Sequence, residues 1–234
     1  MKKICLATTS PLIVNFFLVP YIKALKTRYQ VALAVNTAEG TSLPDDLGIE
    51  VLPVAIERKI APRPDLSALL KLRRLFVTRR FDAVHSFSPK AGLLCALAGR
   101  SARVPVRVHT FTGQVWATRQ GPMRFLLRAG DRTTARAATH LLADSSSQRD
   151  FLVQNGIVPE PAKCRVLGSG SVSGVDTGRF RPNSDARAEI RNEHGISGDS
   201  VVFLFLGRLT RDKGVLDLAR AFAALPARDG ATLM

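Results

Sequence analysis

Four short stretches of this chain combine residue types that can hold an anion or move a proton. In "GRLTRDKG", Gly207 to Gly214, a glycine admits close backbone approach, while Arg208 can grip two oxygens at once and Lys213 supplies a point charge. The G-x-x-x-x-G-K-[ST] spacing of a Walker loop is absent, so the expected site is a diphosphate clamp of another kind. In "HTFTGQVW", His109, Thr110, Thr112, Gly113, Gln114 and Trp116 crowd one turn, and a histidine there can act as acid, base or donor to a sugar hydroxyl. In "HSFSPKAG", Ser88 and Pro89 open a helix with Lys90 in its first turn. A cation there opposes the helix macrodipole, so Lys90 is expected to face an anion. In "TTSPLIVNFF", Thr8, Thr9 and Ser10 place hydroxyls and N–H groups where a phosphate or a sugar could be held. Three of them have a plainer reading: a helix N-cap for Ser10, a solvated lysine for Lys90, a core histidine for His109.

The elements around these stretches alternate. "KICLAT", "QVALAV", "IEVLPV", "DAVHS", "PVRVHTF", "THLLAD" and "KCRVLG" read as short apolar strands. Between most of them lie helical stretches: Pro11 to about Lys26, one opened by Asp65, one from Ser88-Pro89, one from about Pro122 to Ala138, and "SSSQRDFLVQNG" with a Ser145/Gln148 capping box. This order predicts an α/β fold, a parallel sheet covered on both faces. Ligands of such sheets bind beyond the carboxyl ends of the strands, where all four stretches fall. The Gly/Ser-rich "SGSVSGVDTGRF" interrupts the pattern before a new strand-turn-helix begins at Val201. The expected organisation is residues 1–168 as one Rossmann-like domain, 169–199 as linker and helix, and 200–234 as the incomplete start of a second. That second part is too short to bury a core, and "VVFLFLG" is expected to stand as an exposed, unpaired strand.

The charge balance, 34 basic against 19 acidic residues, points to a polyanionic partner. Few aromatic residues and no nucleic-acid motif argue against nucleic acid and for an anionic membrane surface. Arg124, Arg128, Arg132 and Arg136 recur every four residues as a basic stripe, and Arg73, Arg74, Arg79 and Arg80 lie beside leucines. No apolar run is long enough to span a bilayer, and the start lacks a cleavage site of a signal peptide. Three cysteines in apolar runs fit a reducing, cytoplasmic setting. Scattered histidines and cysteines lack zinc-ligand spacing, so neither a metal nor another cofactor is expected.

Taken together, "GRLTRDKGVLDLARAF", "SGVDTGRF" and "ADSSSQRDFL" resemble segments of family-four retaining glycosyltransferases of the GT-B fold. "HSFSPKAGLLCALA" and "VPVRVHTFTGQVW" are similar to the subgroup that adds sugars to lipid-diphosphate carriers. The resemblance implies two Rossmann-like domains facing across a cleft, the first for a lipid-linked acceptor and the second for a nucleotide-sugar. It implies that Arg208 and Lys213 neutralise the donor diphosphate, that His109 contacts the transferred sugar, and that Thr9 and Ser10 lie beside the donor phosphates. It also implies a peripheral position on the inner membrane leaflet. Thr9 and Ser10 stand where many relatives have a glycine pair. The family's E-x7-E segment belongs after Lys213, beyond the 234 residues, so the expectation is a truncated and inactive enzyme. A non-catalytic membrane or partner module built on the same domain is the alternative.

Overall fold

The computed structural model of the protein describes residues 1–38, 41–225 and 230–234. The chain divides into two compact units, Met1–Gly174 and Val175–Met234.

The first unit is built on a seven-stranded sheet: β1 (Lys3–Thr8), β2 (Gln30–Val35), β3 (Glu50–Pro53), β4 (Ala83–Phe87), β5 (Val106–Phe111), β6 (His140–Ala143) and β7 (Cys164–Val166). All six neighbouring pairs are parallel, in the order β3-β2-β1-β4-β5-β6-β7. The order reverses between β1 and β4, which opens a crevice at their carboxyl ends.

Alternation along the strands sorts the core onto two faces. From β1, Cys5 and Ala7 join a cluster with Ala68, Leu72 and Phe76 of α3 (Pro62–Arg79) and Ala91, Leu94 and Cys95 of α4 (Pro89–Ser101). Leu6 points the other way, into a cluster with Val14, Leu18 and Ile22 of the helix that follows β1. A third cluster seats Phe111, Trp116 and Leu141 against Leu152 of α6 (Ser146–Gln154). Small residues let α4 approach the sheet closely: a Cβ on Gly92 would lie 2.7 Å from Nδ1 of His109.

Two helices differ from the sequence reading. The stretch from Pro11 is three pieces, α1 (Pro11–Ile13), a π-helical turn (Val14–Leu18) and α2 (Val19–Leu25). Pro20 has no N–H to donate back along a regular helix, and the wider turn before it accommodates the break. Helix α3 begins at Pro62 rather than Asp65, because Pro62 and Pro64 occupy first-turn positions that need no N–H. Asp65 Oδ2 then accepts from Ala61 N at 3.1 Å.

The second unit holds α7 (Ser184–Glu193), β8 (Val201–Phe203), α8 (Val215–Ala223) and β9 (Ala231–Leu233). The expectation that "VVFLFLG" would be unpaired is corrected: β8 pairs in parallel with β9, Val201 opposite Ala231. Arg191 is the one buried polar residue described there, donating to the carbonyls of Ser197, Gly198 and Ser200. No described hydrophobic residue of this unit is fully buried, in keeping with the expected lack of a core.

Candidate functional site

Turns at the carboxyl edge of the first sheet enclose a cavity of about 550 Å³. Phe87 and Ser88 reach it from the end of β4, Thr112 from beyond β5, and Asp144 from beyond β6. Phe17 of the π turn and Ser171, beyond β7, complete its wall. Segments that follow five of the seven strands, β1, β4, β5, β6 and β7, thus meet at one place, beyond the carboxyl ends where open parallel sheets bind ligands.

The expected site residues divide sharply by what their side chains already do. Ser10 caps α1, its Oγ accepting from Leu12 N at 3.3 Å, and is fully buried. Thr9 is buried beside it. Lys90 does face an anion, as its place at a helix start demands, but that anion belongs to the protein. Its Nζ lies 2.8 and 2.9 Å from the two carboxylate oxygens of Asp65, and it also donates to the carbonyl of Lys59. Thr110 Oγ1 lies 2.8 Å from Nε2 of His85, an interior pairing. Gly113 has φ 134°, which explains the glycine by backbone conformation alone.

His109 is 1% exposed. Its Nδ1 lies 3.0 Å from Ser86 Oγ, its ring packs edge-on to Phe111, and Gly92 of α4 closes over it. Burial pushes its pKa down to about 4, against a hydrogen bond with the Ser86 backbone that raises it. His85 is pushed down to about 3 by the same desolvation and by its neighbour His109. Both imidazoles are neutral at pH 7. His109 therefore lies beneath α4 near the end of β5, and it is not among the residues that line the cavity.

Trp116 is likewise interior, its Nε1 donating to Asp131 at 2.7 Å and its ring stacked on Phe151. Burial lifts Asp131 to about 6, although the Trp116 hydrogen bond lowers it. The basic stripe on α5 (Gly121–Ala137) is only partly outward. Arg128 and Arg132 donate to the carbonyls of Asn155 and Gly156, which closes the end of α6. Arg124 and Arg136 remain exposed, and Arg124 is joined in the first turns by Met123, Leu126 and Phe125, the last 75% exposed.

In the second unit, Gly207, Arg208 and Lys213 share the turn between β8 and α8, and both cations are exposed. A Cβ at Gly207 would meet only the Phe205 ring at ordinary contact distance, so packing alone does not require glycine there.

Of the polar residues lining the cavity, Thr112 lies in a turn singled out from the sequence, whereas Asp144 and Ser171 were missed. Asp144 ends the apolar run "THLLA", and Ser171 sits in a glycine-rich stretch read as a hinge. Instead, Gly170 packs so tightly on Asp144 that a Cβ would strike its carbonyl, which holds this stretch within the first unit.

A family model described as "Glycosyl transferase 4-like domain" matches residues 20–170. The Staphylococcus aureus capsular polysaccharide biosynthesis glycosyltransferase CapM is 30% identical over 72% of this chain and 44% of its own length. The Escherichia coli UDP-Gal:alpha-D-GlcNAc-diphosphoundecaprenol alpha-1,3-galactosyltransferase is 29% identical over 70% of this chain and 41% of its own. The chain thus matches less than half the length of these two relatives. Among solved structures, Anabaena HepE in complex with UDP and glucose superposes on the whole chain and 60% of its own, with TM-score 0.71 and 17% identity. Sucrose-phosphate synthase from Thermosynechococcus elongatus gives TM-score 0.70 at 15% identity, over the whole chain and 61% of its own. At these identities the likeness is one of fold.

Proposed function

The chain belongs to the glycosyl transferase 4-like domain family, and from that premise we propose that it serves transfer of a sugar from a nucleotide-sugar to an acceptor carried on a lipid diphosphate. The observation that carries this reading is the cavity at the carboxyl edge of the seven-stranded sheet, inside the segment that the family model matches. In this proposal the Met1–Gly174 unit takes the acceptor. The turn of Gly207, Arg208 and Lys213 supplies the phosphate end of the donor site. A departing nucleoside diphosphate gathers negative charge in the transition state, and two fixed cations stabilise that charge more than they stabilise the intact donor. The name of the Escherichia coli relative, with its diphosphoundecaprenol acceptor, and the UDP held by HepE support these two substrate classes.

The acceptor's lipid accounts for the outer surface. Met123, Phe125 and Leu126 on the first turns of α5 would enter the interfacial region of a membrane, with Arg119 and Arg124 beside them at the anionic headgroups. No helix among the described residues is long and apolar enough to cross a membrane, so contact in this proposal is peripheral.

Titration of the isotope-labelled chain with UDP tests the donor half. Saturable shifts at amides 207–214, lost in the Arg208→Ala/Lys213→Ala variant without change in thermal stability, are expected. Shifts unaffected by the double substitution contradict the assignment.

A further inference from the structure

Three serines start helices on the binding edge of the first sheet, and two of them do so conventionally. Ser10 and Ser145 have extended backbones and accept from Leu12 N and Gln148 N. Ser88 does neither. Its φ of 74° and ψ of 146° fall near a region that glycine enters freely and other residues avoid, and its side chain caps nothing on α4. Ser88 is 9% exposed, and its Oγ is buried without a hydrogen-bond partner. Glycine would remove both the strain and the orphaned hydroxyl, which together disfavour serine here. Ser88 nevertheless lines the cavity.

The surroundings indicate what the hydroxyl awaits. The first N–H groups of α4, those of Lys90 and Ala91, have no partner within the helix by its geometry, and Pro89 contributes none. Three more buried side-chain polar atoms among the described residues lack partners, Thr8 Oγ1 at the end of β1, Gln114 Nε2 beyond β5 and Asn15 Oδ1 in the π turn, but none of these residues lines the cavity. At the cavity itself, Ser88 Oγ and the first N–H groups of α4 can all donate, so the group they await carries acceptors. Lys90 takes no part, since Asp65 holds it. Asp144, on the same cavity, would repel a bare anion but accept from hydroxyls. A ligand that satisfies both carries a phosphoryl group and a sugar.

We propose that Ser88 Oγ and the first N–H groups of α4 form a subsite for the phosphoryl group of a glycosyl phosphate or diphosphate, whose sugar hydroxyls meet Asp144. The inference rests on the cavity being a substrate site, as proposed above, and names the groups that read the substrate. Either a nucleotide-sugar or a lipid-linked sugar diphosphate can bring this chemistry.

The test is residue-resolved titration of the isotope-labelled 234-residue chain with inorganic pyrophosphate, UDP and geranyl diphosphate in turn. Saturable amide shifts at residues 88–92 are expected with pyrophosphate. In Ser88→Gly the affinity read at those amides should fall about tenfold or more, the loss of a hydrogen bond to a charged acceptor. Glycine suits this backbone, so Ser88→Gly should melt no lower than the parent. Tighter binding of geranyl diphosphate at 88–92 assigns the subsite to the lipid-linked acceptor; tighter binding of UDP assigns it to the donor. Shifts confined to 207–214 overturn the subsite and leave the donor reading standing. Shifts at 88–92 that Ser88→Gly does not weaken overturn it as well, and absence of shifts at both segments removes both.

Discussion

Lys90 and Asp65 are joined in a two-pronged ion pair, Nζ to each carboxylate oxygen at 2.8 and 2.9 Å, across the first turns of α4 and α3. A lysine at a helix N-terminus is poorly placed for the macrodipole, and the neighbouring carboxylate offsets that conflict while tying the two helices together. The pair also fixes the turn that carries Ser88.

Breaking this pair should destabilise the fold. The side chains are only 13% and 20% exposed, so the cost lies between that of a surface pair and a fully buried one. Lys90→Met or Asp65→Asn is expected to lose about 1–3 kcal/mol, and the double variant less than the sum of the two. Urea unfolding with an unchanged slope measures it. Full additivity would show that the pair contributes nothing as a pair.

The seating of α4 on His109 predicts a second effect. A Cβ at Gly92 would lie 2.7 Å from Nδ1, against a ring enclosed on all sides. Gly92→Ala is therefore expected to cost about 1–3 kcal/mol by overpacking. Adding His109→Ala should remove the clash, so the double variant should lose less than the two single losses combined.

Buried His109 and half-buried His85 set a pH dependence. An imidazole depressed from 6.5 to about 4 or 3 binds its proton more readily in the unfolded chain, so its stabilisation is full above pH 6.5 and is lost as pH falls toward those values. Asp131, raised from 3.8 to about 6, acts in the opposite sense: it binds a proton more readily when folded, so stability through it rises on acidification. Asp144, also raised by burial, acts with Asp131, but the histidines are shifted further, so net stability should fall between pH 6.5 and 4. Replacing His109 with Gln should flatten the profile in that window. Denaturation midpoints at a series of pH values decide it, and a profile unchanged by His109→Gln would contradict the assignment.

The exposed first turns of α5 predict membrane behaviour separable from folding. Arg124→Glu/Phe125→Ser should leave thermal stability within about 0.5 kcal/mol, as for surface positions generally. Partition onto vesicles of mixed anionic and zwitterionic lipid should fall about tenfold or more, from reversed charge and lost apolar insertion. Unchanged sedimentation with vesicles would move the contact elsewhere.

The sheet was legible because each strand is a short apolar run bounded by turn residues, and Ser145 with Gln148 marked the start of α6 plainly. Partnerships between distant residues were not. Nothing local to Lys90 reveals Asp65, and nothing local to Arg128 and Arg132 reveals the carbonyls of Asn155 and Gly156 that draw them inward. His109 looked chemical because strand-end histidines often are, yet the glycine that buries it lies on another element. Pairing of β8 with β9 depended on a partner near the other end of the unit. Ser88 was visible as a helix start, but its positive φ and orphaned hydroxyl are three-dimensional facts.

The central claim, that the first unit takes a lipid-diphosphate-linked sugar in the cavity at its sheet edge, is tested most directly by photocrosslinking. The 234-residue chain would be mixed with a prenyl-diphosphate sugar carrying a photoreactive group on the sugar, and labelled peptides mapped by mass spectrometry. The account predicts saturable labelling near Phe17, Thr112, Asp144 or Ser171, competed by unlabelled lipid and weakened in Ser88→Gly. Labelling elsewhere, or no more labelling than with a sugar lacking the diphosphate, would contradict it.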